Sequence, residues 1–183
     1  MYQHIVVAVD DSACSTHTLV EAMRFARATG ASLTLATVVN FLELAVEAGG
    51  RPDVSVLDVL AHARGSALLE PSLAHVAAEG LSATPVVLHS WGGGKEIAFA
   101  LVEYAKTSGA DLMVIGTHGR TGLRHLLLGS VAEAVMRESS LTTLVVRAPT
   151  VGGAAGGTGA AVVVGASDSS TSAARAAIAT LTA

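Results

Sequence analysis

Leu112-Met113-Val114-Ile115-Gly116-Thr117-His118-Gly119-Arg120-Thr121-Gly122-Leu123-Arg124-His125-Leu126-Leu127-Leu128-Gly129-Ser130 runs from an apolar segment through a glycine-rich loop. It leads into Val131-Ala132-Glu133-Ala134-Val135-Met136, a helix-forming stretch. The glycines fall as Gly, two residues, Gly, nine residues, then Gly-Ser. A strand that opens into such a loop and re-enters a helix is a phosphate-binding geometry. Glycine lets the backbone approach an anion, and the helix start presents unpaired N–H groups at its positive dipole end. Arg120 and Arg124 add positive charge, and Ser130 is expected to cap the helix and donate its hydroxyl.

Outward from this segment the chain alternates strand and helix. Ile5–Val9, Leu33–Val39, Val86–Leu88, Leu112–Ile115 and Thr143–Val146 are continuous apolar runs, as expected of parallel strands covered on both faces. Helical patterns occupy Ser15–Thr29, after a capping Ser12 or Ser15, then Val54–Glu79, Glu96–Ser108 and Gly129–Glu138. Gly65 and Pro71 are expected to interrupt the second of these. Strand alternating with helix implies right-handed crossovers and an α/β fold, a doubly wound parallel sheet with helices on both faces. Ligands of such sheets bind beyond the carboxyl ends of the strands, where the strand order reverses. Asp10, Val38 and Gly116 stand at three of those ends, and they converge if the first and fourth strands are neighbours.

Composition narrows the function. The chain has 183 residues, 51% of them hydrophobic but only 3% aromatic, so Ala, Val and Leu supply the core. Mean hydropathy is +0.56, yet no run approaches the roughly 18 uninterrupted apolar residues of a membrane span. Net charge is -4 with no basic run, which argues against nucleic acid as a partner. Met1 leads almost directly into the first strand, and Cys14 is the only cysteine, so a reducing cytoplasm is expected. Residues 1–149 form one expected domain. Residues 151–183 hold six Gly and eleven Ala in 33 positions, so 150–183 reads as a linker with an appendage. In that appendage Val162-Val163-Val164-Gly165-Ala166-Ser167-Asp168-Ser169 can be laid on Ile5-Val6-Val7-Ala8-Val9-Asp10-Asp11-Ser12. It is either the remnant of a second repeat or a chance match in an Ala/Val-rich tail.

Among single residues, Asp10 is placed to accept hydrogen bonds from ribose hydroxyls, whereas Asp11 reads as helix N-terminal charge. His118 and His125 flank the loop without a second ligand at zinc-like spacing, so no metal site is assigned. Cys14, near a helix start, reads as a buried or incidental cysteine. Trp91-Gly92-Gly93-Gly94-Lys95 fails as a P-loop, since His89 stands where glycine is needed and Glu96 follows the lysine. Leu128 and Ala132 exclude a nucleophile elbow at Ser130, and no catalytic residue is assigned.

The Gly116/Gly119/Gly129-Ser130 spacing, with Val7-Ala8-Val9-Asp10-Asp11-Ser12 and Leu141-Thr142-Thr143-Leu144-Val145-Val146-Arg147, resembles the universal stress protein family in its ATP-binding class. The resemblance covers about residues 1–148. It implies a five-stranded Rossmann-like parallel sheet in the order 3-2-1-4-5, ATP (with Mg) at the strand ends, and homodimers joined through the last strand. Carried over, Ala8 and Asp10 line the adenosine pocket and Val38 touches adenine. Gly116, Thr117, His118, Gly119, Arg120, Thr121 and Gly122 wrap ribose and phosphates, and Gly129, Ser130 and Val131 hold the phosphate end. The chain departs from the family pattern at Thr37, where a His is common, and at Gly92-Gly93-Gly94, where Gly-x-Pro-Ala is usual. The tail resembles the truncated start of the second domain in tandem members.

The leading expectation is an ATP-binding stress or signalling module whose occupancy tunes conformation or partner binding. The alternatives are a slow ATPase or phosphoryl-transfer enzyme, for which no recognisable catalytic set is present, and a nucleotide-free interaction domain, against which the intact glycine loop counts.

Overall fold

The computed structural model describes residues 2–50, 52–117 and 128–147, and the backbone of 161–164. Its strands are β1 (His4–Ala8), β2 (Ser32–Asn40), β3 (Ala83–Ser90), β4 (Leu112–Gly116), β5 (Thr142–Val146) and β6 (Ala161–Val164). The helices are α1 (Ala13–Thr29), α2 (Phe41–Glu47), α3 (Val54–Ala78), α4 (Gly94–Thr107) and α5 (Ser130–Glu138). The sheet order is β3-β2-β1-β4-β5-β6. The first five strands are parallel in the expected 3-2-1-4-5 order, and β6 adds antiparallel to β5.

Alternating side chains of continuous apolar strands feed two separate cores. Ile5, Val7, Leu112, Val114, Leu144 and Val146 face α1 and α3, meeting Leu19, Met23, Phe25 and Leu69. Val6, Met113, Ile115 and Val145 face α4 and α5, meeting Leu101, Val102 and Val135. Ile5, Val6 and Val7 are 0% exposed, so β1 has no solvent on either face. Both-face burial holds for β1, β4 and β5 but not for β3, whose residues are mostly half-buried or exposed. β3 is the outermost strand on its side, which also explains how it accommodates Pro85.

Two local expectations fail. The stretch from Val54 is one unbroken helix despite Gly65 and Pro71. Gly65 is buried, and a Cβ there would run into the methyls of Val87, so the glycine is what lets α3 lie against β3. Pro71 and Ala67, four residues back, are exposed, so water can take the carbonyl that proline leaves without a donor, while Leu69 and Val76 anchor the helix on either side. The helix α2 was not anticipated. It opens on Asn40, whose Oδ1 accepts from the N–H groups of Leu42 (2.8 Å) and Glu43 (3.4 Å).

At the carboxyl end of β4, Gly116 meets α1. A Cβ there would stand 2.8 Å from Cys14 Sγ and 3.0 Å from Thr18 Oγ1. Glycine at this position is therefore required by helix packing. Cys14 itself is buried, its thiol donating to the Val146 carbonyl at 3.5 Å.

Overpacking these two sites has a measurable cost. Gly65→Leu should lower stability by about 1–3 kcal/mol, read as a thermal midpoint lower by roughly 3–10 °C, and Val87→Ala in the same chain should recover part of it. Gly116→Ala should cost about 1–3 kcal/mol in urea unfolding, with Thr18→Ala as the partial rescue.

Candidate functional site

The strand order reverses at β1, which has β2 on one side and β4 on the other. The crossovers therefore leave in opposite directions, and a crevice opens over the carboxyl ends of these strands. A cavity of about 280 Å³ lies there. Ala8 of β1 and Val9 and Asp10 just beyond it line the cavity, with Ala36, Thr37 and Val38 of β2, Ile115 and Gly116 of β4, and Thr117 just beyond β4. Ile97 and Leu101 of α4 and Val131 of α5 complete an apolar wall.

Three helices begin at this cavity: α1 after Ser12, α4 after Gly93 and α5 after Gly129. At none of the three does a side chain cap the helix. In α4 the first full-turn bond runs from Ile97 N to Gly93 O (3.0 Å), and in α5 from Glu133 N to Gly129 O (2.9 Å). Helical geometry supplies no acceptor to the N–H groups of Gly94–Glu96 or Ser130–Ala132. The positive ends of these dipoles face one space, a ready anion site. The two starts are packed tightly: a Cβ on Gly94 would stand 2.8 Å from Ser130 Cβ.

Asp10 is half-buried at the end of β1, and its Oδ1 accepts from Ser12 N (3.1 Å) and Ser12 Oγ (2.5 Å). Its own N–H donates to Ser15 Oγ at 3.1 Å. The capping role expected of Ser12 is thus corrected: it occupies the N-cap position, but its hydroxyl turns to Asp10. Ser130 is likewise the first helical residue, with Gly129 at the cap. Thr117 joins three elements, its N–H donating to Val146 O (2.8 Å) and its carbonyl accepting from Gly129 N (2.6 Å). The chain between leaves and returns at adjacent points. Asp11 is exposed and away from the cavity lining.

Of the residues singled out from the sequence, Ala8, Asp10, Val38, Gly116, Thr117, Gly129, Ser130 and Val131 line this one cavity. His118, Gly119, Arg120, Thr121 and Gly122 lie outside the described residues, as do Arg124 and His125. Asn40 and Glu43 also line it and were not singled out, and so do Gly93 and Gly94 of the glycine run that fails as a P-loop. Asn40 and Glu43 carried a signal, the Asn-x-x-Glu spacing that marks a helix start after β2. Asn40 Nδ2 donates to Gly92 O (3.0 Å), and Ser90 Oγ donates to the same oxygen (3.2 Å), which holds the chain leading into α4. The nearness of Gly94 to Ser130 left no trace in the sequence.

Comparison with known proteins agrees with this architecture. Over 49 residues the chain is 51% identical to universal stress protein MJ0531 of Methanocaldococcus jannaschii, covering 27% of this chain and 29% of that protein. Over 83 residues it is 31% identical to universal stress protein YxiE of Bacillus subtilis, covering 45% and 53%. The aligned stretches thus span from under a third to about half of these relatives' lengths. The structure of MJ0577 from M. jannaschii superposes with a TM-score of 0.67 at 24% identity, over 82% of this chain and 99% of that one. A universal stress protein solved in complex with cAMP superposes with a TM-score of 0.58 at 28% identity, over 80% and 97%. The sequence pattern of the universal stress protein family matches residues 1–147, from before β1 through the end of β5. A match through every parallel strand that builds the cavity settles the relationship: this chain belongs to the universal stress protein family.

Proposed function

We propose that the cavity binds an adenine nucleotide, ATP with its Mg²⁺, and that occupancy tunes the conformation or the partner binding of a stress-response module. The observation that carries this reading is the convergence of uncapped helix starts and the Asp10 carboxylate on one cavity. A cavity of about 280 Å³ stands at the lower end of the range of about 300–1,000 Å³ for small-molecule sites, and so suits the nucleoside part, with the phosphates toward the loop. The base lies against Ala36, Thr37 and Val38, and the Asp10 carboxylate accepts from the ribose hydroxyls. Gly129, Ser130 and Val131 hold the phosphate end through backbone N–H groups, and Gly116–Gly122, with Arg120, close over ribose and phosphates. Mg²⁺ would come with the triphosphate and would offset its charge, since among the described residues no cluster of three or more His, Cys, Asp or Glu could hold the ion. The cAMP complex of the relative that superposes here supports an adenine ligand.

The residues described at the cavity favour binding over turnover. Asp10 is engaged with Ser12, and its proposed role is recognition of the sugar, not activation of water. The same reading places the protein in the cytoplasm and makes β5 the contact strand of a homodimer, formed where that edge is open to a second copy. Among the described residues no helix is long and apolar enough to cross a membrane.

Gly119→Val should weaken ATP binding at least tenfold. Loss of one or two charge-assisted contacts at about 1.5–3 kcal/mol each is enough for that. Titration calorimetry checks it, and unchanged affinity in the folded variant sinks the loop assignment. Asp10→Ala should raise the dissociation constants for ATP and ADP alike, with Asp10→Asn keeping an acceptor for Ser12 as a control on folding. If Asp10→Ala left both affinities intact but abolished a measurable loss of ATP over time, the enzymatic reading would replace this one.

A further inference from the structure

β5 is a strand with nothing to defend its edge. Thr142-Thr143-Leu144-Val145-Val146 contains no charge and no proline, the two devices that most often keep an exposed edge from pairing. In the structure that edge is taken by β6, antiparallel, in the register Val146↔Ala161 to Thr143↔Val164. Two features make this occupant unusual. β6 is only four residues long, shorter than most sheet strands. It is also reached through the 14 residues between Val146 and Ala161 (147–160), whereas an antiparallel pair needs only about two. Five of the ten residues 151–160 are glycine. A four-residue strand joined to its partner through so many residues is an intramolecular ligand. It is held at high effective concentration but by few bonds.

The pairing direction identifies what competes for the edge. Two copies related by a two-fold axis present identical strands to each other antiparallel, and antiparallel is the direction this edge accepts. Turned about Leu144, β5 of one copy sets Thr142 opposite Val146 and Thr143 opposite Val145, with no like charges facing. The second copy offers a five-residue strand against the four of β6.

We propose that residues 161–164 are a reversible cap on the β5 edge, competing in cis with the β5-to-β5 pairing of two copies put forward above. The proposal rests on β5 as the contact strand, and it is independent of whether the cavity binds ATP. In the capped state the chain is a monomer, and the tail sets the concentration at which it pairs.

The test compares the full chain, a chain ending at Thr150, and a full chain carrying Val162→Pro with Val163→Pro. Adjacent residues of an antiparallel strand alternate in which side their N–H faces, so one of the two prolines removes a donor aimed at β5. Light scattering after size exclusion, across a concentration series, reads the mass, and thermal melting confirms folding. The expected result is a monomeric full chain, with both altered chains dimerising at concentrations about tenfold lower or less, as release of an intramolecular competitor requires. Folded but monomeric altered chains would overturn both the cap and the β5 dimer. A dimeric full chain that the prolines leave unchanged, but that Val145→Asp splits, would overturn the cap while keeping the β5 dimer. A dimeric full chain that the prolines convert to monomer would overturn the cap in cis and show that β6 is exchanged between copies.

Discussion

Burial of β1 on both faces is the constraint on which the rest of the structure depends. With Ile5, Val6 and Val7 fully enclosed, helices must cover the sheet on both sides, and each strand must reach its parallel neighbour through a crossover. Burying three such side chains is worth roughly 1.5–3 kcal/mol each. The cost is geometric: the crossovers that leave the neighbouring strands β1 and β4 run in opposite directions and leave the carboxyl ends between them uncovered. The cavity is what the topology leaves uncovered there, and the proposed nucleotide site inherits its position from the packing of the core.

Around that opening, small residues and backbone groups do most of the work. Gly116 lets α1 approach the end of β4, and Gly94 lets α4 approach Ser130 of α5. Gly93 and Gly129 start their helices with no side chain to consume the terminal N–H groups. An aligned set of uncapped N-termini costs helix stability, and a bound anion restores it. Folding alone would be served equally well by Ser or Asp at these caps. Their absence beside the cavity is what the proposed anion contact draws on.

Thr117 is the joint between site and edge. It bonds to Val146 at the end of β5 and to Gly129 before α5, and Val146 is the residue opposite the first residue of β6. The loop that carries the glycine spacing is thus hung from the same strand that the tail covers. Cys14 reaches the same carbonyl of Val146 from α1, so three elements converge on one strand end.

The strand-loop-helix segment from Leu112, the five apolar runs and the glycine spacing were legible in the sequence because each depends on local periodicity or on backbone freedom. Asp10, Val38 and Gly116 were legible as strand-end residues, and they do line one cavity. The uninterrupted α3 was not, since whether Gly65 breaks a helix or admits a neighbour depends on Val87 in a distant strand. Nor was the turn of Ser12 toward Asp10, which the local geometry of the folded chain decides, or the meeting of Gly94 with Ser130. By itself the sequence determined the five parallel strands and the approximate places of α1, α3, α4 and α5, because these follow from residue type and spacing. Only the tertiary structure decided that β6 lies antiparallel on β5, and which side chains from separate elements share the cavity, because those contacts join residues far apart in the chain.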